Sequence, residues 1–330
     1  MKPLFTIIRI LLTSCATVLA LLVASCGGGG GSGSASGTTY SSVAMAGELI
    51  DYTIDTANLT YSYTITESQF GLTGKTGSGT LVRNGDSSYT PSGVPNARIV
   101  VLPNGLLLGA VRERFGATLV TVPIFGLSAP VTTLGAIAGD YNYIHRNCRL
   151  AVCGADHGTF RIASAGTWTS CAGGNVAAGS CTTENGTLES LGNGRWRVMD
   201  GSTNIGTALG FASAGQNVIV LDLKDTRASG FGVGMLVGGQ QVTMTAAQTN
   251  GTWVAGASTG HWAVFTASGN TITLNQIDGV AVNVATTLTA NSPWTGMATT
   301  ANGGVGFLAG AGVYVLETAN GDAELGIKLR

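Results

Sequence analysis

The sequence predicts an all-β protein, an antiparallel hairpin-built β-barrel preceded by a smaller β region, and three observations carry that reading. Short runs alternate polar and apolar residues with period two, as half-buried strands do. Turn residues punctuate the runs, drawn in part from 51 glycines in 330 residues. Nothing between residues 48 and 125 has the helical period. Hydrophobic residues make up 44% of the chain, so enough apolar surface exists to offset chain entropy despite the glycine content.

The first element is an export signal. Lys2 and Arg9 give a basic start, and residues 10–23 are apolar except for Thr13, Ser14, Cys15 and Thr17. That is the size and flanking charge of a signal's hydrophobic segment. Val23-Ala24-Ser25-Cys26 follows at once. The tetrapeptide resembles the lipobox of bacterial lipoproteins: an aliphatic residue, two small ones, then the cysteine. The resemblance implies that residues 1–25 are removed, that the Cys26 thiol takes a diacylglyceryl group, and that the new amino terminus receives a fatty acyl chain such as palmitate. Leu12-Thr13-Ser14-Cys15 fits the same spacing. Cleavage there would leave too short a hydrophobic segment and a greasy stretch after the lipid. An uncleaved span is the competing reading, since roughly 17 to 25 apolar residues cross a bilayer.

Residues 26–38 hold the lipid-bearing cysteine and a Gly/Ser/Ala tether of flexible composition. A leash after the lipid lets a folded part stand off the bilayer. Stable anchoring needs more than one acyl chain, and the chains expected at Cys26 meet that need. Residue 27 is Gly rather than Asp, which in many bacterial lipoproteins implies transfer to the outer membrane, facing either the periplasm or the cell surface.

Residues 39–134 form the first β region. Residues 48–55 and 60–66 alternate in period two, and 79–84, 97–102, 105–112 and 117–125 are similar. Pro103-Asn104-Gly105 is a tight turn that should join two of these strands. A break around Ser128-Ala129-Pro130 sets a boundary before Gly139.

Residues 135–330 form the barrel. The segments 158–171, 186–198, 261–277 and 312–329 share one plan of strand, short Gly turn and strand. Asn193-Gly194 and Asn320-Gly321 are strong hairpin signals, because a two-residue type I′ turn needs positive φ twice. Consecutive hairpins close most simply as an up-and-down barrel, which leaves no free edge. An acylated Cys26, a Gly-rich leash, a first β region and a terminal strand Glu324-Leu325-Gly326-Ile327-Lys328 resemble in layout the transferrin-binding-protein-like surface lipoproteins. Those proteins are longer and more charged, and none of their partner-binding residues is matched here.

With the signal removed, Cys148, Cys153, Cys171 and Cys181 remain beside Cys26. An even count in an oxidising compartment reads as two disulfides, and four cysteines allow three connectivities. The up-and-down path of strands 141–147, 159–163 and 167–170 gathers all four at one end, which favours the local pairs 148–153 and 171–181 and leaves crossed pairing open. The competing reading is a metal site from His145, Cys148, Cys153, Asp156 and His157, but zinc sites pair two cysteines with two histidines at other spacings. No metal and no cofactor is expected.

The chemistry-bearing motifs are weak. Gly256-Ala257-Ser258-Thr259-Gly260 matches the nucleophile-elbow pattern beside His261, yet a strand rather than the required helix follows. Gly74-Lys75-Thr76 ends like a phosphate-binding loop, but the glycine needed five residues earlier is Gln69. Asp222 and Asp225 could form a glycosidase-like carboxylate pair, though both border a turn and read as solvated. Trp168, Trp196, Trp253, Trp262 and Trp294 read as core or barrel-closing residues rather than sugar platforms.

Charged residues are 10% of the chain at a formal net charge of -1, so no cationic surface for nucleic acid is expected. The expected role is a membrane-anchored, non-enzymatic envelope module that binds a macromolecule or serves in surface assembly. The alternative is a small-ligand carrier, since barrels of about eight strands hold one small molecule. The small residues at 207–214 and 230–239 would make its room, and the disulfide end is where an exposed apolar patch would mark a partner site.

Overall fold

The computed structural model describes residues 37–94, 97–115, 118–149, 152–179, 181, 183–213, 215–227 and 232–329. The signal, the Cys26 lipidation site and the tether up to residue 36 lie outside the described residues. Thr38, counted above with the tether, opens the first strand.

The chain is all-β and built from antiparallel hairpins closed into eight-stranded barrels, three in succession. The first contains β1 (Thr38–Ala44), β2 (Glu48–Asp55), β3 (Thr60–Ser68), β4 (Thr76–Arg83), β5 (Tyr89–Pro91), β6 (Ile99–Val101), β7 (Leu106–Phe115) and β8 (Thr118–Leu127). The second contains β9 (Gly139–Arg149), β10 (Val152–Ile162), β11 (Thr167–Ala172), β12 (Thr183–Gly192), β13 (Arg195–Asp200), β14 (Thr203–Ser213), β15 (Gln216–Asp225) and β16 (Gly232–Gln240). The third contains β17 (Gly251–Ala257), β18 (Trp262–Ser268), β19 (Thr271–Ile277), β20 (Val280–Ala290), β21 (Ala298–Thr300), β22 (Val305–Ala309), β23 (Val313–Glu317) and β24 (Ala323–Lys328). Within each barrel every strand pairs with its sequence neighbour, and the last returns to the first: β8 on β1, β16 on β9, β24 on β17.

Residues 135–330, read from sequence as one barrel, therefore hold two. Period-two patterning fixes which residues are strands but not where a ring closes. Closure here is set by register, Val237 opposite Ile144 and Val254 opposite Ile327. A single turn of helix, α1 (Ala246–Thr249), sits between the two rings, with a capping box made by Thr245 and Gln248.

In the first two barrels alternate residues fill the interior. Tyr40, Tyr52, Ile65, Leu81, Tyr89, Ile99, Leu107 and Ile124 form one cluster drawn from all eight strands of the first ring. Tyr141, Phe160, Trp168, Leu188, Trp196, Ala208, Leu221 and Leu236 do the same for the second. The intervening outward positions are not all solvated: Val43, Leu108 and Phe125 join Ile144, Val220, Val237, Phe307 and Ile327 in a cluster shared by all three barrels. Side chains that face out of one barrel are thus core between barrels.

Close approach needs glycine at two of these seams. A Cβ on Gly239 of β16 would lie 2.8 Å from Phe307 Cε2 of β22, and one on Gly47, at φ 92°, would meet Val233 Cγ1 at 2.7 Å. Polar bonds cross the first and second barrels too: Arg195 pairs with Asp51, and Lys224 with Glu67, whose carboxylate also accepts from Thr207 Oγ1 at 3.0 Å.

The disulfides join Cys148 to Cys153, opposite one another on β9 and β10, and Cys171 to Cys181. Two turn expectations fare differently. Asn193 and Gly194 both have positive φ and join β12 to β13 directly. Asn320-Gly321 instead sits in a five-residue connection, 318–322, where Thr318 N–H and Asp322 O close the loop at 2.8 Å and only Gly321 of the two residues has positive φ. Asp222 and Asp225 are buried, not solvated. Three residues apart on β15, they point to opposite faces and cannot act as a carboxylate pair.

Candidate ligand-binding site

The three rings have equal strand numbers and unequal contents. Aromatic residues at inward positions of the second barrel leave only about 50 Å³ of space, among Phe160, Trp168, Leu188 and Leu221. The third barrel places Ala255, Ala257, Ala263 and Gly304 at inward positions, and a lumen of about 670 Å³ remains. That size lies within the range of about 300 to 1,000 Å³ typical of small-molecule sites. At the described residues of 207–214 and 230–239 the expected room is not found: β14 and β16 belong to the second barrel, whose opposite walls carry the bulky rings.

One end of the lumen is closed by an aromatic plug. Trp253 stacks on Phe265 with ring centroids 6.1 Å apart, and Phe265 meets Tyr314 at 4.8 Å. Trp253 Nε1 donates to Thr249 O at 2.9 Å, which ties the plug to α1. Lys328 Nζ lies 5.9 Å from the Trp253 ring centre and donates to Gln248 O at 3.2 Å, so this inward-facing cation is held beneath the plug.

Above the plug the wall is apolar, with Ile272, Leu274, Ile277, Val284 and Leu316. Glu324 interrupts it. Tyr314 Oη donates to Glu324 Oε2 at 2.8 Å. Burial pushes the Glu324 carboxyl up from its usual range; the Tyr314 hydrogen bond opposes that shift and the nearby Asp322 charge adds to it. Burial likewise pushes the Tyr314 hydroxyl well above its ordinary value. Neither Lys nor Arg is among the described lining residues. The mouth is polar, formed by Thr259, His261, Asn302, Thr318 and Asn320. His261 Nδ1 is 2.8 Å from Asp278 Oδ2. Burial opposes ionisation of Asp278, but hydrogen bonds from His261 and the Trp262 N–H outweigh it and hold that carboxyl below its usual range.

The parity of β24 explains why this site is hard to see in the sequence. Glu324, Gly326 and Lys328 alternate with Leu325 and Ile327, which reads as a strand with its apolar side in the barrel. The reverse holds: Leu325 and Ile327 are wholly buried among the three barrels, while Glu324 lines the lumen. The signal that could have revealed it is the concentration of small residues at alternate positions of β17 and β18.

The other sequence candidates separate. Ser258 Oγ donates to Asp322 Oδ1 at 3.2 Å and accepts the Ala323 N–H, while the His261 ring pairs with Asp278. The motif lies in the turn between β17 and β18, with a strand rather than a helix after it. Lys75 precedes a strand, β4, where a phosphate-binding loop needs a helix. Cys148 and Cys153 are joined to each other and offer no thiolate to a metal. Asp156, His157 and Glu317 do approach within 4.8 Å; His157 Nδ1 and Glu317 form a 2.6 Å pair between the second and third barrels, which raises the His157 pKa. Trp168, Trp196, Trp253 and Trp262 are buried, so none offers a free face to a sugar. The exposed large hydrophobics among the described residues are Phe70, Val82, Leu191, Val280, Val282 and Val284, none of them on the cysteine-bearing strands β9, β10 and β11.

No family model matches the chain, and no curated protein matches its sequence. Among solved structures, the chain aligns with the β subunit of DNA polymerase from Streptococcus pyogenes across 89% of this chain and 92% of that one, at 8% identity. The TM-score is 0.11, too low to carry any argument about fold or function.

Proposed function

We propose that the chain is an outer-membrane lipoprotein, anchored through Cys26, that binds rather than catalyses, and that its third barrel carries a small, largely apolar ligand. The lumen of about 670 Å³ is the observation that carries this reading. It is apolar in its wall, plugged at one end and polar at its mouth, as small-molecule sites are. The two neighbouring barrels, filled by their own side chains, serve as the mount. The lipobox-like Val23-Ala24-Ser25-Cys26 and the Gly-rich leash support a mount held near a membrane.

The test is a titration with N-phenyl-1-naphthylamine, whose fluorescence rises in apolar surroundings, using the full chain in lipid nanodiscs with empty nanodiscs as the blank. Saturable binding at one site is expected. Ala257→Trp/Ala263→Trp, which fills the lumen from the adjacent strands β17 and β18, should abolish it while the far-ultraviolet circular dichroism and melting temperature are retained. Equal binding by the filled variant would contradict the reading.

A second reading, docking of a macromolecule in the envelope, is favoured by β20. Val280, at 66% exposure, with Val282, presents branched apolar side chains to solvent on one long strand.

A further inference from the structure

The polarity of the lumen carries the reading one step further, and this step rests on the proposal that the lumen holds a ligand. We infer that the third barrel selects an apolar amine, with the amino group at Glu324, and discriminates against fatty carboxylates. The geometry is specific. Glu324 is the carboxyl within the apolar wall, and its one hydrogen bond among the described residues is the 2.8 Å bond to Oε2 from Tyr314 Oη. The hydroxyl proton of Tyr314 is committed there, so what faces an incoming ligand is acceptor capacity on the carboxyl rather than a donor.

Charge points the same way. A carboxylate ligand would meet Glu324 in a wall whose described residues include neither Lys nor Arg, and like charges in a poorly solvated site disfavour each other. Lys328, the cation on the same strand face, is held under the aromatic plug by Gln248 O and the Trp253 ring. An ammonium group instead supplies the counter-charge that the wall lacks and makes a charge-assisted hydrogen bond. Its alkyl or aromatic frame then covers Ile272, Leu274 and Leu316.

The experiment displaces N-phenyl-1-naphthylamine from the full chain in zwitterionic nanodiscs with octylamine, octanol and octanoate, each corrected against empty nanodiscs. Octylamine should displace the probe at a concentration at least about tenfold below that of octanoate, with octanol between them. Glu324→Gln keeps the shape of the site and removes its charge. It should retain probe binding and bring octylamine to within about threefold of octanol. Octanoate competing as well as octylamine, or an amine preference unchanged in Glu324→Gln, would overturn the inference while leaving a ligand-binding lumen in place. Absence of probe binding to the unaltered protein would overturn the carrier reading and this one together.

Discussion

Asp222 shows how the residue scale reaches beyond its own strand. It is wholly buried between the first and second barrels, and neither carboxylate oxygen has a hydrogen-bond partner among the described residues. Burial first, then the charges of Glu67 and Glu48, push its pKa well above the usual value, and Lys224 only partly offsets them. A carboxyl whose pKa is raised on folding contributes stability below its unfolded value and loses it as pH climbs through the folded value. Asp222→Asn, which mimics the protonated acid, should therefore raise the melting temperature at pH 7.5, with the gain vanishing below about pH 4. A gain of the same size at both pH values would show that ionisation of Asp222 is not what matters. The sequence could not reveal this. Asp222 beside Lys224 near the end of a strand looks like a solvated turn, and only the seating of β3 and its Glu67 against β15 makes the site dry. Asn193-Gly194, by contrast, was legible because the turn requires nothing beyond its own two residues.

At the scale of elements, the strands themselves were the most legible part. Residues 48–55 were placed at the bounds of β2, and the 97–102 and 105–112 runs meet at the expected Gly105 turn, where Gly105 N–H donates to Leu102 O at 3.0 Å. The strands missed in the first barrel, β1 and β5, are the one that follows the tether directly and one of only three residues. Neither offers a long enough alternation to stand out from turns and linker. What joins elements across barrels leaves still less trace. Phe307 of β22 lies over Gly239 of β16, where a side chain has no room. Gly239→Val should cost about 1 to 3 kcal/mol by overpacking, and Phe307→Ala about 3 to 5 kcal/mol by loss of buried surface. Because both act at one contact, urea unfolding of the double variant should show a loss smaller than the sum of the two. Strict additivity would mean that the two positions do not share that contact.

For the whole molecule, three closed rings share one apolar cluster, and their division of labour follows from what fills each. Two rings are packed with aromatic and aliphatic side chains; the third is plugged at one end and open above the plug. The sequence carried the all-β, hairpin-built character and the presence of a barrel. It did not carry the count of rings, since strand patterning repeats from β9 to β24 without a mark at closure, nor the position of the lumen, since β24 turns its polar set inward. The measurement that tests the central claim most directly is the mass of the protein drawn gently from its native envelope, taken under native and denaturing conditions. The account predicts a small-molecule mass present only in the native spectrum and absent from Ala257→Trp/Ala263→Trp, on a denatured chain that begins at an acylated Cys26. A native mass equal to the denatured one, or an adduct that survives in the filled variant, would contradict a ligand held in the third barrel.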